Sequence, residues 1–152
     1  MTFLSPIAEN TSKVLEYLEK YEKAIKEIEP FFILENRKLI EICQNIPKRQ
    51  CEFKRYAAEL KSIQELIELR RDTHEGKKWK SLNEHNARAL ASKDIQQYIK
   101  GDNEYVSLSE LILEIGFLRS NINAIIDALD TMNWQVGHIT KMAVASLQDY
   151  EL

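Results

Sequence analysis

Long cationic side chains are concentrated in the middle of this chain, and an indole ring lies among them. Phosphate groups are bound by extended cationic side chains, and single-stranded bases stack on flat aromatic faces. The pattern therefore predicts a surface for a single-stranded nucleic acid, although a docked tryptophan with solvated lysine neighbours is the alternative explanation. The candidate residues are Lys54, Arg55, Lys61, Arg70, Arg71, Lys77, Lys78, Trp79, Lys80 and Arg88.

The net charge of -3 conceals an uneven distribution of charge along the sequence. Residues 37–100 carry 15 basic and 9 acidic side chains, a balance of +6, whereas residues 101–152 carry 2 basic and 8 acidic ones, a balance of -6. Such asymmetry indicates that one segment meets an anionic partner while another has a different role. Chance clustering on solvated helix faces would give a similar distribution, and charge alone does not separate the two interpretations.

Motifs for catalysis and for cofactor binding are absent from the sequence. The 4 glycines do not form a phosphate-binding loop, which argues against an autonomous ATPase or a nucleotide-dependent oxidoreductase. The 3 histidines and 2 cysteines show no metal-ligand spacing. We therefore predict a protein that is not an enzyme and that requires no metal or cofactor.

The composition predicts a single all-α domain over residues 1–152, built from about five helices. Only 4 glycines and 3 prolines accompany a hydrophobic content of 44%, which leaves too few turn residues for a sandwich or barrel. No apolar run approaches the ~18 residues of a membrane span. The two cysteines suit a reducing compartment. The expected protein is soluble, cytoplasmic and not associated with a membrane.

Helix signals divide the first hundred residues into four predicted helices. The first covers about residues 12–28, the second about 31–46, and the third begins at Pro47, with Gly76 as its C-terminal residue. A basic loop at 77–80 and a fourth helix over about 83–99 follow. The third helix has an apolar stripe with three- and four-residue steps, formed by Phe53, Tyr56, Leu60, Ile63 and Ile67.

The acidic last third, residues 102–152, has an unbroken heptad pattern typical of a coiled-coil helix. We interpret this stripe as a homo-oligomerisation surface, because a chain of this length offers little else to cover it. Pairing with another helix of the same chain is the alternative, and it stays open at this point. The stripe consists of Leu108, Leu111, Ile115, Leu118, Ile122, Ile125, Leu129, Met132, Val136 and Ile139.

Three stretches resemble the UvsY family of phage recombination mediators. Leu69-Arg70-Arg71-Asp72-Thr73-His74-Glu75-Gly76 is similar to the basic stretch of that family, which runs Lys-x-Arg-x-Asp into a short turn containing aromatic residues and glycine. Arg70 matches the arginine, while Glu68 stands where the family has lysine. Gly101-Asp102-Asn103-Glu104 resembles the loop before its long helix, and Trp134, Val136 and Ile139 resemble the pattern near its end. The resemblance extends from about Asn36 to the end of the chain.

The resemblance implies a ring-forming helical homo-oligomer without enzymatic activity. Such a protein binds single-stranded DNA and loads a RecA-like recombinase onto strands covered by single-strand-binding protein, in the cytoplasm of the bacterial host. DNA contact is implied for Arg70, and by position for Lys77, Lys78 and Lys80. The alternative is a helical adaptor or structural protein whose heptad helix binds the helices of another protein.

Overall fold

The first predicted helix is the first helix of the structure, with the same two ends. The computed structural model describes residues 12–85 and 91–149, and every regular element in these two ranges is helical, so the predicted all-α class is confirmed. The described residues form four α-helices and one short 3-10 turn, where about five helices were predicted. They are α1 (Ser12–Ile28), the 3-10 turn (Glu29–Phe32), α2 (Leu39–His85), α3 (Ser92–Lys100) and α4 (Asn103–Asp149).

Helix α2 is one element of 47 residues where we expected two helices that meet at Pro47, and it begins at Leu39 instead of near residue 31. A proline inside a helix removes one backbone hydrogen bond and crowds the carbonyl one turn earlier, at a cost of about 3 kcal/mol. Pro47 is exposed, so water can solvate the carbonyl that loses its donor. The buried side chains of Ile46 and Phe53 lie on either side of it and keep both segments in one packed helix.

The predicted helix end at Gly76 and the predicted loop at 77–80 are also wrong, because α2 continues through both to His85. A glycine in a helix interior costs only about 1 kcal/mol relative to alanine, and no glycine of the described residues has a positive φ. The predicted fourth helix over 83–99 is wrong in its first part as well. Residues 83–85 belong to α2, the next described residue is Ala91, and α3 begins at Ser92.

Contacts divide the chain into two compact units. The unit that we call the middle unit contains Leu60–Leu118 and residues 12–15 of α1. Its core joins side chains from α2, α3 and α4, which are almost fully removed from solvent. Tyr98 of α3 is 63% exposed. The core residues on these three helices are Leu60, Ile63, Ile67, Ile95, Ile99, Leu108, Ile115 and Leu118.

The second unit, which we call the flanking unit, contains Glu16–Glu59 and the part of α4 from Arg119 onward. Aromatic rings pack edge to face in this unit. The centroids of Tyr21 on α1 and Tyr56 on α2 lie 5.5 Å apart, and those of Phe53 and Tyr56, both on α2, lie 5.6 Å apart. The Tyr21 hydroxyl donates to Glu59 over 2.7 Å, and burial raises the pKa of that hydroxyl. Apolar residues of α4 complete this core, namely Ile122, Leu129, Met132 and Val136.

The heptad stripe of α4 is covered within the single chain. Seven of its ten residues are buried, Leu111 and Ile125 are half-buried, and Ile139 is 46% exposed. The reasoning that little in this chain can cover the stripe was therefore wrong, because merging the second and third predicted helices makes α2 as long as α4. The homo-oligomer itself stays a prediction. The most exposed large apolar side chains in the middle-unit part of α4 are Leu113 and Phe117, at 74% and 68%.

Candidate nucleic-acid interface

A groove of about 410 Å³ lies between α2 and α4 within the middle unit. The α2 side carries two cationic side chains and one imidazole, whereas the α4 side carries one carboxylate and one hydroxyl. Apolar side chains complete the lining, so the groove joins positive charge to a hydrophobic surface. The residues that line it are Leu69, Arg70, Thr73, His74, Lys77, Glu104, Ser107 and Leu108.

Helical spacing brings the basic residues of this groove together. Arg70, His74 and Lys77 follow one another at steps of four and three residues, which places them on one face of α2. They occupy the same heptad positions as the apolar residues earlier in α2. The apolar stripe of α2 is therefore replaced by polar side chains where the helix lines the groove. Within residues 12–85 and 91–149, neither Arg70 nor Lys77 has a carboxylate within 4.0 Å. Both charges are available to an anionic ligand.

Asp102 fixes the position of this basic segment relative to the start of α4. Its Oδ1 lies 3.0 Å from Lys78 Nζ, and its Oδ2 lies 2.6 Å from His74 Nε2. The backbone N–H of Tyr105 donates to Oδ2 over 3.3 Å, so the same carboxylate caps the helix. Hydrogen bonds from Lys78 and from His74 hold the pKa of the Asp102 carboxyl well below its usual value of 3.8.

We expect Asp102→Asn to lower the Tm at neutral pH, and the loss to depend on pH. Because the pKa of Asp102 is lower in the folded than in the unfolded chain, its contribution to stability is complete above about pH 5. It is lost as the pH falls through 3.8 toward the lowered value, since the folded state must then accept a proton that it binds weakly. Thermal unfolding of both proteins between pH 3 and pH 7 measures this.

The matched control for that series is Asp127→Asn, which removes one carboxylate from an exposed position of α4. Its Tm should follow that of the wild type at every pH. A Tm difference between wild type and Asp102→Asn that stays constant from pH 7 to pH 3 would contradict the role of the Asp102 charge.

The predicted cluster of Lys77, Lys78, Trp79 and Lys80 is dispersed because its residues are helical. Successive residues of a helix point about 100° apart, so neighbours in sequence do not share a face. Lys77 lines the groove, Lys78 binds Asp102, and Lys80 lies 3.9 Å from Glu84 with 75% of its side chain exposed. Trp79 is 40% exposed and does not line the groove. The indole is accessible for base stacking, at a position separate from Lys77.

Arg71 is directed toward the protein more than toward solvent. Its guanidinium carbon lies 5.8 Å from the centroid of the Tyr105 ring, and its Nη2 lies 3.3 Å from Asp72. Only 29% of the side chain is exposed, and Nε is buried without a hydrogen-bond partner within the described residues. The geometry thus favours a role for Arg71 in holding α2 against α4.

The other predicted DNA-binding residues lie outside the groove. Lys54 and Arg55 belong to the flanking unit, where Arg55 Nε is 3.9 Å from Glu59. Lys61 is exposed and lies 3.8 Å from Glu65 on the same helix. These pairs are loose and solvated, so they leave the cations accessible to phosphate. Arg88 falls outside the described residues.

Two groove residues, His74 and Glu104, were missed as contributors to a binding site. At the level of the sequence, His74 is a candidate metal ligand and part of the stretch that resembles the basic segment of the family, and Glu104 is part of a loop that resembles the family. His74 follows Arg70 by four residues and precedes Lys77 by three, so this spacing would have identified it once the segment was recognised as helical. No sequence spacing identifies Glu104 as a groove residue, because its position opposite α2 depends on tertiary packing.

Two further observations concern metal ions and membranes. In residues 12–85 and 91–149, no three His, Cys, Asp or Glu side chains are grouped so that they could hold a metal ion. None of the helices in those two ranges has an apolar stretch of the length that a bilayer crossing requires.

The helical framework is similar in fold to one solved phage protein. The solved structure in question is the crystal structure of UvsY, the recombination mediator protein of bacteriophage T4. It is similar to this chain with a TM-score of 0.69 and 14% sequence identity, over 83% of this chain and 98% of that one. The UvsY-like resemblance predicted from the sequence is therefore confirmed in the fold. No protein-family model and no curated protein sequence matches the chain.

Proposed function

We propose that this protein is a recombination mediator that binds single-stranded DNA as a homo-oligomeric ring. In this role it helps to load a RecA-like recombinase onto strands covered by single-strand-binding protein, and it performs no catalysis itself. The observation that carries the proposal is the basic groove around Arg70 and Lys77, which lies on a framework with the fold of T4 UvsY.

The groove supplies the contacts that a DNA backbone needs. An arginine offers two parallel donors to one phosphate, and a lysine offers a point charge to the next. Arg70 and Lys77 lie about two helical turns apart, roughly 10 Å at 1.5 Å per residue. Lys54, Lys61 and Lys80 are exposed and would add long-range attraction. Trp79 would stack on a base, a contact worth roughly 1–3 kcal/mol.

A ring of identical subunits would make this small site effective. Each groove alone offers two cations without an ion-pair partner in the described residues, which is a weak site for a flexible strand. Repetition makes each further contact intramolecular, so that modest contacts combine into a high effective concentration. The acidic part of α4 beyond the groove, from Glu110 onward, is our candidate for contact with the recombinase or the single-strand-binding protein, because its acidic side chains outnumber its basic ones and would repel DNA.

A helical adaptor is the second candidate function, and the exposed apolar side chains of α4 favour it. Leu113 and Phe117 are separated by one helical turn and are 74% and 68% exposed. Apolar side chains grouped in this way are typical of a surface that contacts another protein. Such a surface serves a ring of identical chains as well as an adaptor, so DNA binding has to separate the two functions.

We expect the purified protein to have a mass several times 17.8 kDa and to bind a labelled oligo-dT in a salt-sensitive manner. Light scattering coupled to size exclusion measures the mass, with and without the oligonucleotide. Fluorescence anisotropy between about 50 and 200 mM salt measures the affinity. An oligomer without affinity for oligo-dT at the lowest salt would favour the adaptor. A monomer at every concentration would contradict the ring.

A further inference from the structure

One acidic side chain points into the basic groove. Glu104, in the first turn of α4, lines the groove opposite Arg70 and Lys77, and 67% of its side chain is exposed. Its Oε2 lies 3.2 Å from His74 Nδ1. A carboxylate is an unexpected component of a surface that binds an anionic strand, since it repels the ligand that Arg70 and Lys77 attract.

Glu104 is not needed to hold His74 in the groove. His74 is already held by Asp102, whose oxygen lies 2.6 Å from the other ring nitrogen. Asp102 also binds Lys78 and caps α4, so these contacts compensate its negative charge. Within the described residues, the only ion pair of the Glu104 side chain is the one with the imidazole of His74. Of the two carboxylates near the groove, Glu104 is the one that a bound phosphate would meet.

We propose that Glu104 acts as an internal counter-anion that weakens the hold of this groove on a phosphodiester backbone. The inference rests on the proposed function. A phosphate bound between Arg70 and Lys77 would share the positive potential of these two side chains with the Glu104 carboxylate. The negative charge of that carboxylate would also repel the phosphate. The groove would then bind a strand weakly enough to release it to another protein, as a mediator of exchange requires.

The test compares Glu104→Gln with Glu110→Gln in a titration of labelled oligo-dT at about 50 mM salt. Both variants remove one negative charge from exposed positions of α4, and only Glu104 lines the groove. We expect Glu104→Gln to bind about 3- to 10-fold more tightly than the wild type, since a like charge has been removed beside the ligand. The gain should diminish as salt shortens the Debye length. Glu110→Gln should stay within about 2-fold of the wild type.

A charge-conserving variant, Glu104→Asp, keeps the repulsion and should bind like the wild type. If it gains as much affinity as Glu104→Gln, the charge is not the cause and the inference is wrong. Equal affinities of Glu104→Gln, Glu110→Gln and a wild type that binds DNA would also overturn it, while leaving the proposed function intact. Absence of oligo-dT binding by the wild type and by Glu104→Gln would overturn both proposals.

Discussion

Replacing Arg70 and Lys77 together by alanine is expected to weaken the binding of oligo-dT by about 100-fold or more. A hydrogen bond to a charged group contributes roughly 1.5–3 kcal/mol, and each 1.4 kcal/mol is a factor of ten. The two side chains are predicted to contact different phosphates. The slope of log K against log salt should therefore become less steep by about 1.4, which is 0.7 for each phosphate contact with a single strand. Anisotropy titrations at several salt concentrations measure both quantities.

A double variant that removes two cations elsewhere is the control for this experiment. Lys93 and Lys141 are exposed, and neither lies within 4.0 Å of a carboxylate in the described residues, so Lys93→Ala with Lys141→Ala changes the net charge equally. We expect its affinity to fall by less than about 3-fold. If the two double variants lose affinity to the same extent, the groove is not the DNA site and only the overall charge attracts the strand.

Leu118→Ala is expected to destabilise the protein by about 2–5 kcal/mol, since it leaves a cavity in the middle-unit core. Leu118 is 4% exposed and belongs to the heptad stripe that is covered within the single chain. The loss should therefore be independent of protein concentration, which would not be so if another copy covered the stripe. Urea denaturation at several protein concentrations, with the m-value checked for constancy, measures it.

Leu113→Ala provides the matched comparison, because it makes the same substitution five residues earlier on the same helix. Leu113 is 74% exposed, so its removal should change the free energy of unfolding by less than about 0.5 kcal/mol at low protein concentration. Equal losses for the two leucine variants would contradict the intrachain packing of α4. If the loss of unfolding free energy in Leu118→Ala depends on protein concentration, the stripe instead forms an interface between copies of the chain.

The sequence determined the fold class and the buried stripes more reliably than the ends of the helices. Phe53, Tyr56 and Leu60 are buried as their spacing predicted, because a helical period records which face is apolar. Pro47 and Gly76 are strong local signals for helix ends, yet both lie inside α2. Glycine and proline disfavour a helix interior by about 1–3 kcal/mol, and the packing of the long apolar stripe of α2 outweighs that cost. A short segment of sequence does not reveal this packing.

The candidate site was predictable in its charges and less so in its geometry. Arg70 and Lys77 were both named from the basic pattern, and the structure brings them into one groove. Trp79 and Lys78, predicted beside them, diverge because the segment is a helix. The contacts of His74 with Asp102 and Glu104 depend on the approach of α4 to α2, which sequence spacing alone does not show.

The triple role of Asp102 restricts which amino acids this position can accept. Asparagine would keep an acceptor for the Tyr105 N–H but would lose the charge that faces Lys78. Glutamate would keep the charge, but it is a poor N-cap because its longer side chain does not fold back onto the first turn. Each substitution preserves one function and abandons another. Among homologous chains with this same arrangement, we therefore expect position 102 to tolerate little variation, and any replacement to be accompanied by a change at His74 or Lys78.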